Sequence, residues 1–338
     1  MAASLGAVIV TGGAAQAAAD PLVDSSNMLG PDGDTGSTGP LDPTTTGTTG
    51  STGSTGTSGN TGSTGSTSSD GNNTGGSNPG GNNSNESEKP GKSGITDVEN
   101  RMATYIVDLI PDGSTIQLGF GGLGNAIGHM LYNKKELGMH TEVVTPSVTE
   151  LVKAGVVTGS RKNFMPGKIV TGFAVGTNQF YKDIDHNEMF EFREVHWVNQ
   201  PTNIAKNDNM ISINTSLMID LTGQAGSESI GTKQYSGTGG QVNFNQGAKM
   251  SKGGKRILAI ESTYTDKEGN LRSKILPTLP EGTVVTTPRN EVEYVVTEYG
   301  VVDINFDCIS TRVKKLISVA HPRFREELTF AAKKASWI

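Results

Sequence analysis

The chain has 338 residues, a net charge of −6 and one cysteine. The acidic balance, with no basic stripe interleaved with aromatics, argues against a nucleic-acid surface, and no apolar stretch is long enough to cross a bilayer. Cys308 alone excludes a disulfide framework and any multi-cysteine zinc site, so no metal centre is expected and a cytoplasmic, reducing setting fits.

Length by itself predicts two domains, but the composition divides the chain unevenly. Within residues 1–31, MAASLGAVIVTGGAAQAAAD resembles the tail of a secretory signal, with Ala15-Gln16-Ala17 placed like a cleavage site. It lacks a basic n-region, and its apolar run is only Leu5 to Val10. Residues 32–94 are Gly, Ser, Thr and Asn in imperfect repeats such as Gly50-Ser51-Thr52-Gly53-Ser54-Thr55-Gly56, with Leu41 almost the only large apolar residue. Such a composition has nothing to offset an ordering cost of roughly 1–2 kcal/mol per residue, and predicts a disordered linker.

Residues 95–338 carry the periodicity of a folded domain. Thr96-x-x-Glu99 is a capping box ahead of Val98, Met102, Tyr105 and Leu109 at helical spacing. Asp112-Gly113 turns into a short strand, Ser114 to Leu118, which Gly119, Gly121, Gly122 and Gly124 interrupt before the helical positions Ala126, Ile127, Met130 and Leu131. After Glu142 come a helix around Val148 to Ala154, a strand at Lys168 to Phe173, a helix around Gln179 to Ile184 and a strand near Phe192 to Val198. From Met210 the pattern reads as strands with little helix between them: Met210 to Ile213, Leu217 to Leu221, Ile257 to Ile260, Val284 to Thr286 and Tyr294 to Val296. Helices close the chain at Arg312 to Ile317 and Pro322 to Lys334. The alternation predicts an α/β fold with one substantial core.

The chemistry concentrates where the first strand meets its glycines. Free backbone N–H groups at such a turn, and at the helix N-terminus after it, form a seat for a phosphate or an oxyanion. Glu142 follows, just ahead of Val143 and Val144, so a carboxylate and a glycine cradle could face one site. Gly119-x-Gly121-x-x-Gly124 with an acid about 20 residues on is also the dinucleotide fingerprint. There the acid ends the second strand, whereas Glu142 precedes its apolar pair, so the register is wrong for NAD. Without further support Glu142 reads as a solvated surface carboxylate. A second loop, Tyr235 to Phe244 with Gly237, Gly239 and Gly240, is followed by Ser251-Lys252-Gly253-Gly254-Lys255, and either cluster could be a structural turn. Glu298, in Thr297-Glu298-Tyr299-Gly300, is the one rival carboxylate at a strand end, while His129 in a helix and His196 in a strand read as packed or surface histidines.

Taken together with Asn207 to Asn214, Asp220-Leu221-Thr222-Gly223-Gln224 and Ala320-His321-Pro322-Arg323-Phe324-Arg325, these stretches make residues 95–328 resemble the C-terminal half of the acetyl-CoA hydrolase/transferase family, nearest its 4-hydroxybutyrate and butyrate:acetate CoA-transferase branch. The resemblance implies a CoA-transferase-like open α/β sheet with helices on both faces. It also implies that Glu142, in Gly138-Met139-His140-Thr141-Glu142, is the nucleophile. Gly119, Phe120, Gly121, Gly122 and Leu123 match the family's CoA loop; Gly240 and Leu217, the latter on the strand before the Asp-Leu-Thr-Gly-Gln motif, match its other CoA contacts. The implied reaction moves CoA from a short-chain acyl-CoA to a carboxylic acid by ping-pong chemistry through a glutamyl-CoA thioester, with CoA as substrate and no resident cofactor. Hydrolysis of the acyl-CoA, or an inactive half, are the alternatives. Family members begin with a further α/β domain, so a partner chain supplying that half, and a homo- or hetero-oligomer, are expected. The chain departs from the family at Gly124, where Pro is usual, at Asn243, where Asp is usual, at Asn245-Gln246, usually Ile-Arg, and at Asp303-Ile304-Asn305-Phe306, which replaces a basic-glycine turn.

Overall fold

Strands such as Met210-Ile211-Ser212-Ile213 and Arg256-Ile257-Leu258-Ala259 are buried along their length, which is the mark of a parallel sheet covered on both faces. The computed structural model describes residues 94–119 and 121–338. The signal-like reading of 1–31, the linker up to residue 93 and the CoA-loop residue Phe120 therefore lie outside the described residues.

The first half alternates strand and helix: α1 (Asp97–Asp108), β1 (Thr115–Leu118), α2 (Gly122–Met130), β2 (Gly138–Val144), α3 (Pro146–Lys153), β3 (Ile169–Ala174), α4 (Asn178–Ile184) and β4 (Phe190–Phe192). Two short helices follow, α5 (Val195–Val198) and α6 (Pro201–Ile204), then β5 (Met210–Thr215), β6 (Met218–Asp220), β7 (Ala225–Gly226), β8 (Ser229–Ile230) and β9 (Lys233–Gln234). The remainder is α7 (Gln241–Met250), β10 (Lys255–Ala259), β11 (Thr263–Thr265), β12 (Leu271–Ser273), β13 (Ile275–Leu276), β14 (Tyr294–Thr297), β15 (Gly300–Asp303), α8 (Ile309–Val319) and α9 (Arg325–Lys334).

Eight strands form the main sheet in the order β15-β14-β10-β5-β1-β2-β3-β4, parallel except for the last hairpin strand β15. Side-chain alternation assigns the faces. Ile116, Ile211 and Ile213 point toward α1, α2 and α3, where they meet Met102, Ile106, Ile127 and Leu151. On the opposite face Val198, Ile204, Phe244 and Ala248 of α5, α6 and α7 cover Val170 and Met210. Helices thus lie on both faces, as expected. A third cluster joins Val313, Leu316 and Leu328 of α8 and α9 to Ile219, Leu258 and Val295.

From β1 the chain winds outward through β2, β3 and β4; from β5, which lies beside β1, it winds the other way through β10 and β14. The reversal between β1 and β5 is a topological switch point. Open α/β sheets bind their ligands outside the carboxyl ends of the strands at that position, because the crossovers diverge there and leave a crevice.

Local readings confirm or correct the sequence. The capping box stands: Thr96 Oγ1 accepts from the Glu99 N–H at 3.1 Å, and Glu99 Oε2 accepts from the Thr96 N–H at 2.8 Å. The strand read at Phe192 to Val198 is instead β4, ending at Phe192, followed by α5, because the N–H groups of Trp197 and Val198 both turn back to Glu194 O. His196 is therefore on a helix, exposed, beside Glu194 at 3.4 Å. Val284 to Thr286 is not a strand; its pairing runs through side chains, Val284 N–H to Ser229 Oγ at 2.8 Å and Ser227 N–H to Thr286 Oγ1 at 2.9 Å. The largest departure is α7, which occupies a region read as loop and strands.

Candidate active site

The turn after β1 is built by glycine for two physical reasons. Gly121 sits at φ 117°, a backbone region closed to most side chains, and a Cβ on Gly124 would run into the Gly119 carbonyl. Gly121 and Gly122 are exposed, Gly119 is half-buried, and the Leu123 side chain packs toward the core, so these residues offer a ligand backbone rather than side chains. The orphan N–H groups of the first turn of α2 point out of the sheet edge. Glu99 also borders this turn, its Oε1 lying where a Cβ on Gly122 would stand.

Glu142 lies in β2, not ahead of it, next to the strand's carboxyl end and half-buried. Its Oε2 accepts a hydrogen bond from the Gly240 N–H at 2.9 Å. Among the described residues no hydrogen bond reaches Oε1. Gly240 is the N-cap of the ten-residue α7, so the positive end of that helix faces the carboxylate and favours its charge. Gly240 is buried, and a Cβ there would displace Glu142 Oε2 and stand 2.8 Å from Asn199 Nδ2. A strand carboxylate and a loop N–H 98 residues apart in sequence thus meet.

Asn199 was not singled out in the sequence. It follows α5, is 9% exposed, and its Oδ1 is buried with no hydrogen-bond partner among the described residues. Nothing in Val198-Asn199-Gln200-Pro201 signals this, because its place depends on α5 folding back over β2.

Two buried polar groups fix the surroundings. His140, two residues before Glu142 and on the same face of β2, is fully buried; its Nε2 donates to Val198 O at 2.9 Å and its Nδ1 faces Asn207 Nδ2 at 3.2 Å. Burial lowers its pKa to about 4, outweighing the bond to Val198, so the ring is neutral at pH 7. Burial likewise lowers Lys162 to about 7; its Nζ donates to Met139 O at 2.9 Å and Lys168 O at 2.7 Å.

On the same face a buried network links β1, β5 and α7. Gln117 Oε1 accepts from the Ile213 N–H at 3.0 Å, and Asn214 Nδ2 donates to Ser212 Oγ at 2.8 Å. Ser212 Oγ lies 3.1 Å from both Gln117 Oε1 and Asn245 Oδ1. A hydroxyl has one proton, and Gln117 already has a donor, so the Ser212 proton is best used on Asn245. The strand that leads into the first glycine turn is thereby tied to the helix that carries Gly240.

The other sequence candidates are elsewhere. Leu217 is at the bend between β5 and β6 rather than on a strand, half-buried, with its N–H spent on Gly226 O at 3.0 Å. Glu298 lies at the same sheet edge as Glu142 but four strands away, roughly 19 Å at normal strand spacing. Both its oxygens are engaged by Ser262, through the backbone N–H at 3.0 Å and through the hydroxyl. His129 is exposed on α2. Among the described residues no group of three His, Cys, Asp or Glu could hold a metal ion, and no helix is long and apolar enough to cross a membrane.

Residues 176–332 match the acetyl-CoA hydrolase/transferase C-terminal domain. Glu142 and the first glycine turn precede that match. The chain is 49% identical over 246 residues to a 4-hydroxybutyrate coenzyme A transferase of Clostridium kluyveri, covering 73% of this chain and 56% of that one. It is 41% identical over 251 residues to a butyryl-CoA:acetate CoA-transferase of Anaerostipes caccae, covering 74% and 56%. The fold is similar to that of RipA from Yersinia pestis, with a TM-score of 0.68 at 41% identity over 74% of this chain and 56% of that one. It is also similar to a 4-hydroxybutyrate CoA-transferase from Porphyromonas gingivalis, with a TM-score of 0.62 at 38% identity over 71% and 56%. The chain spans about half the length of the curated relatives it matches.

Proposed function

We propose, for a chain whose residues 176–332 belong to the acetyl-CoA hydrolase/transferase C-terminal domain family, that it carries the nucleophilic side of a CoA-transferase site and that Glu142 is the nucleophile. The observation that carries this reading is the 2.9 Å contact between Glu142 Oε2 and the Gly240 N–H at the start of α7, one strand from the sheet's switch point. It leaves Oε1 as the attacking atom.

The chemistry follows from that asymmetry. Oε1 attacks the thioester carbonyl, the C–S bond breaks, and a mixed anhydride and CoA thiolate result. The thiolate attacks the Glu142 Cδ, the Cδ–Oε1 bond breaks, and the acid leaves as its carboxylate, taking that oxygen with it. The product is a glutamyl-CoA thioester. An incoming carboxylate reverses both steps and departs as the new acyl-CoA. The oxyanion formed at Cδ lies where Oε2 was, so the Gly240 N–H already faces it, and a donor so placed is typically worth about 10²–10³ in rate. Asn199, whose Nδ2 lies beside Gly240, is a side chain able to hydrogen-bond a thioester carbonyl there. The exposed backbone of Gly121 and Gly122 suits the phosphates of CoA.

The matched relatives are longer, and we assign this chain one wall of their kind of pocket, the other coming from further polypeptide. Phe173 and Val195, 40% and 39% exposed, sit on β3 and at the start of α5, next to β2, and leave an apolar surface on which such a wall can pack. Water reaching the anhydride would hydrolyse it, so an open pocket leaks acid.

The test is product analysis with butyryl-CoA and acetate, with and without an added N-terminal domain from a relative. The expected result is acetyl-CoA formation that rises with the added domain and is lost in Glu142→Ala. Undiminished acetyl-CoA formation by Glu142→Ala would overturn the assignment.

A further inference from the structure

Glu228 is a buried carboxylate that the reaction above does not use. It is 8% exposed, and its side-chain hydrogen bond is a long one, 3.3 Å from the Thr238 hydroxyl to Oε2. No cation pairs with it among the described residues. A carboxylate has about four acceptor sites, and no hydrogen bond reaches Glu228 Oε1 among the described residues, so this carboxylate has room for another donor.

Its position says where that donor comes from. Thr238 is two residues before Gly240, whose N–H holds Glu142. On the other flank, Gln241 Nε2 donates to Ser227 Oγ at 3.0 Å and to Thr287 Oγ1 at 2.8 Å, fastening the start of α7 to the segment that carries Glu228. The side-chain pairing of residues 283–287 with 225–231 brings Val284 to Ser229 and Thr286 to Ser227, so Val284 and Val285 run along the segment that carries Glu228. Val284 and Val285 are 42% and 40% exposed, so methylene-sized apolar surface adjoins the carboxylate. With Thr238 and Gly240 at most about 8 Å apart along the chain, Glu228 and Glu142 lie within the reach of one short acyl-CoA.

Resting on the CoA-transferase reading, we infer that Glu228 accepts a hydrogen bond from a neutral donor on the acyl-CoA, lying along the Gly237–Gly240 loop. Two parts of such a substrate carry that chemistry: a hydroxyl on the acyl chain, whose methylenes would lie on Val284 and Val285, and an amide N–H of the pantetheine arm.

The test measures binding of three probes by calorimetry to the full chain together with the added N-terminal domain: CoA, and the thioethers S-butyl-CoA and S-(4-hydroxybutyl)-CoA, which Glu142 cannot cleave. They are compared in the wild type, Glu228→Leu and Glu228→Gln, with thermal melts to check folding. If the donor is the acyl hydroxyl, the wild type prefers the hydroxybutyl probe over the butyl probe by about tenfold, the size expected for a hydrogen bond to a charged acceptor. Glu228→Leu then erases the preference, and Glu228→Gln, which keeps an acceptor without the charge, retains part of it. If the donor is the pantetheine arm, Glu228→Leu weakens all three probes alike, by about tenfold. Should Glu228→Leu not fold, Glu228→Gln alone decides, with partial loss expected in either pattern. Unchanged binding of every probe to a folded variant overturns the inference and leaves the transferase reading intact. Failure of the wild type to bind any of the three overturns both.

Discussion

Gly240 is the residue on which the site's geometry is most tightly drawn. A methyl group at that position meets Glu142 Oε2 on one side and Asn199 Nδ2 at 2.8 Å on another, so neither the carboxylate nor the amide can keep its place. Gly240→Ala is expected to lower stability by about 1–3 kcal/mol, the usual cost of overpacking, read as a shifted urea midpoint, and to remove acetyl-CoA formation to the same degree as Glu142→Ala. Retained turnover with a lowered midpoint would show that the contact is structural only. Both Glu142 and Gly240 were legible in the sequence, one as a carboxylate beside a glycine turn and the other as part of a second glycine cluster. Asn199 was not, since an asparagine after a four-residue helix carries no signature until the helix is seen to fold over β2.

His140 adds a prediction about pH. Its folded pKa of about 4 lies below the ordinary value of 6.5, so between those values the unfolded chain binds a proton that the folded chain refuses. Folding stability therefore falls as pH drops from 6.5 toward 4 and this contribution levels off below, with a full span on the order of 3 kcal/mol. Urea unfolding across that range should show a steeper loss in the wild type than in His140→Gln. Parallel curves would mean that His140 titrates alike in the folded and unfolded chain.

At the scale of elements, α7 shows what the sequence concealed. Gln241 to Met250 carries Phe244 and Ala248 one turn apart as its buried apolar residues, while Asn245, also buried, is polar, so the stretch lacks the stripe that marks a packed helix. Asn245 is tolerated because Ser212 and Asn214 of β5 serve its carbonyl, at 3.1 and 3.4 Å. Asn245→Leu should leave a buried hydroxyl without its acceptor and cost about 1–3 kcal/mol. It should also speed amide hydrogen exchange in the glycine turn after β1, because that turn follows Gln117 of the same network. Exchange confined to α7 would mean that the network does not couple the two loops. The reverse error occurred at Val284 to Thr286, where β-branched residues promised a strand and side-chain hydroxyls satisfy the backbone instead.

At the scale of the molecule, the α/β architecture was legible because its signs are local: a capping box at Thr96, short apolar runs alternating with helical spacing, and glycine between strand and helix. Strand order was not, because adjacency of β1 to both β2 and β5 is decided by crossover handedness and by which faces bury, neither of which is written in one segment. That adjacency is what separates the two candidate carboxylates. Glu142 stands one strand from the switch point with a helix N-terminus facing it, whereas Glu298 is four strands from Glu142 and committed to Ser262.

The central claim is that Glu142 becomes covalently joined to CoA, and trapping that bond tests it most directly. The chain, with the added N-terminal domain, is incubated with butyryl-CoA without an acceptor acid, treated with borohydride to reduce any glutamyl thioester, and mapped by peptide mass spectrometry. The account predicts reduction of the Glu142 side chain to an alcohol, dependent on butyryl-CoA; reduction at Glu298 instead, or acetyl-CoA formation with Glu142 untouched, would contradict it.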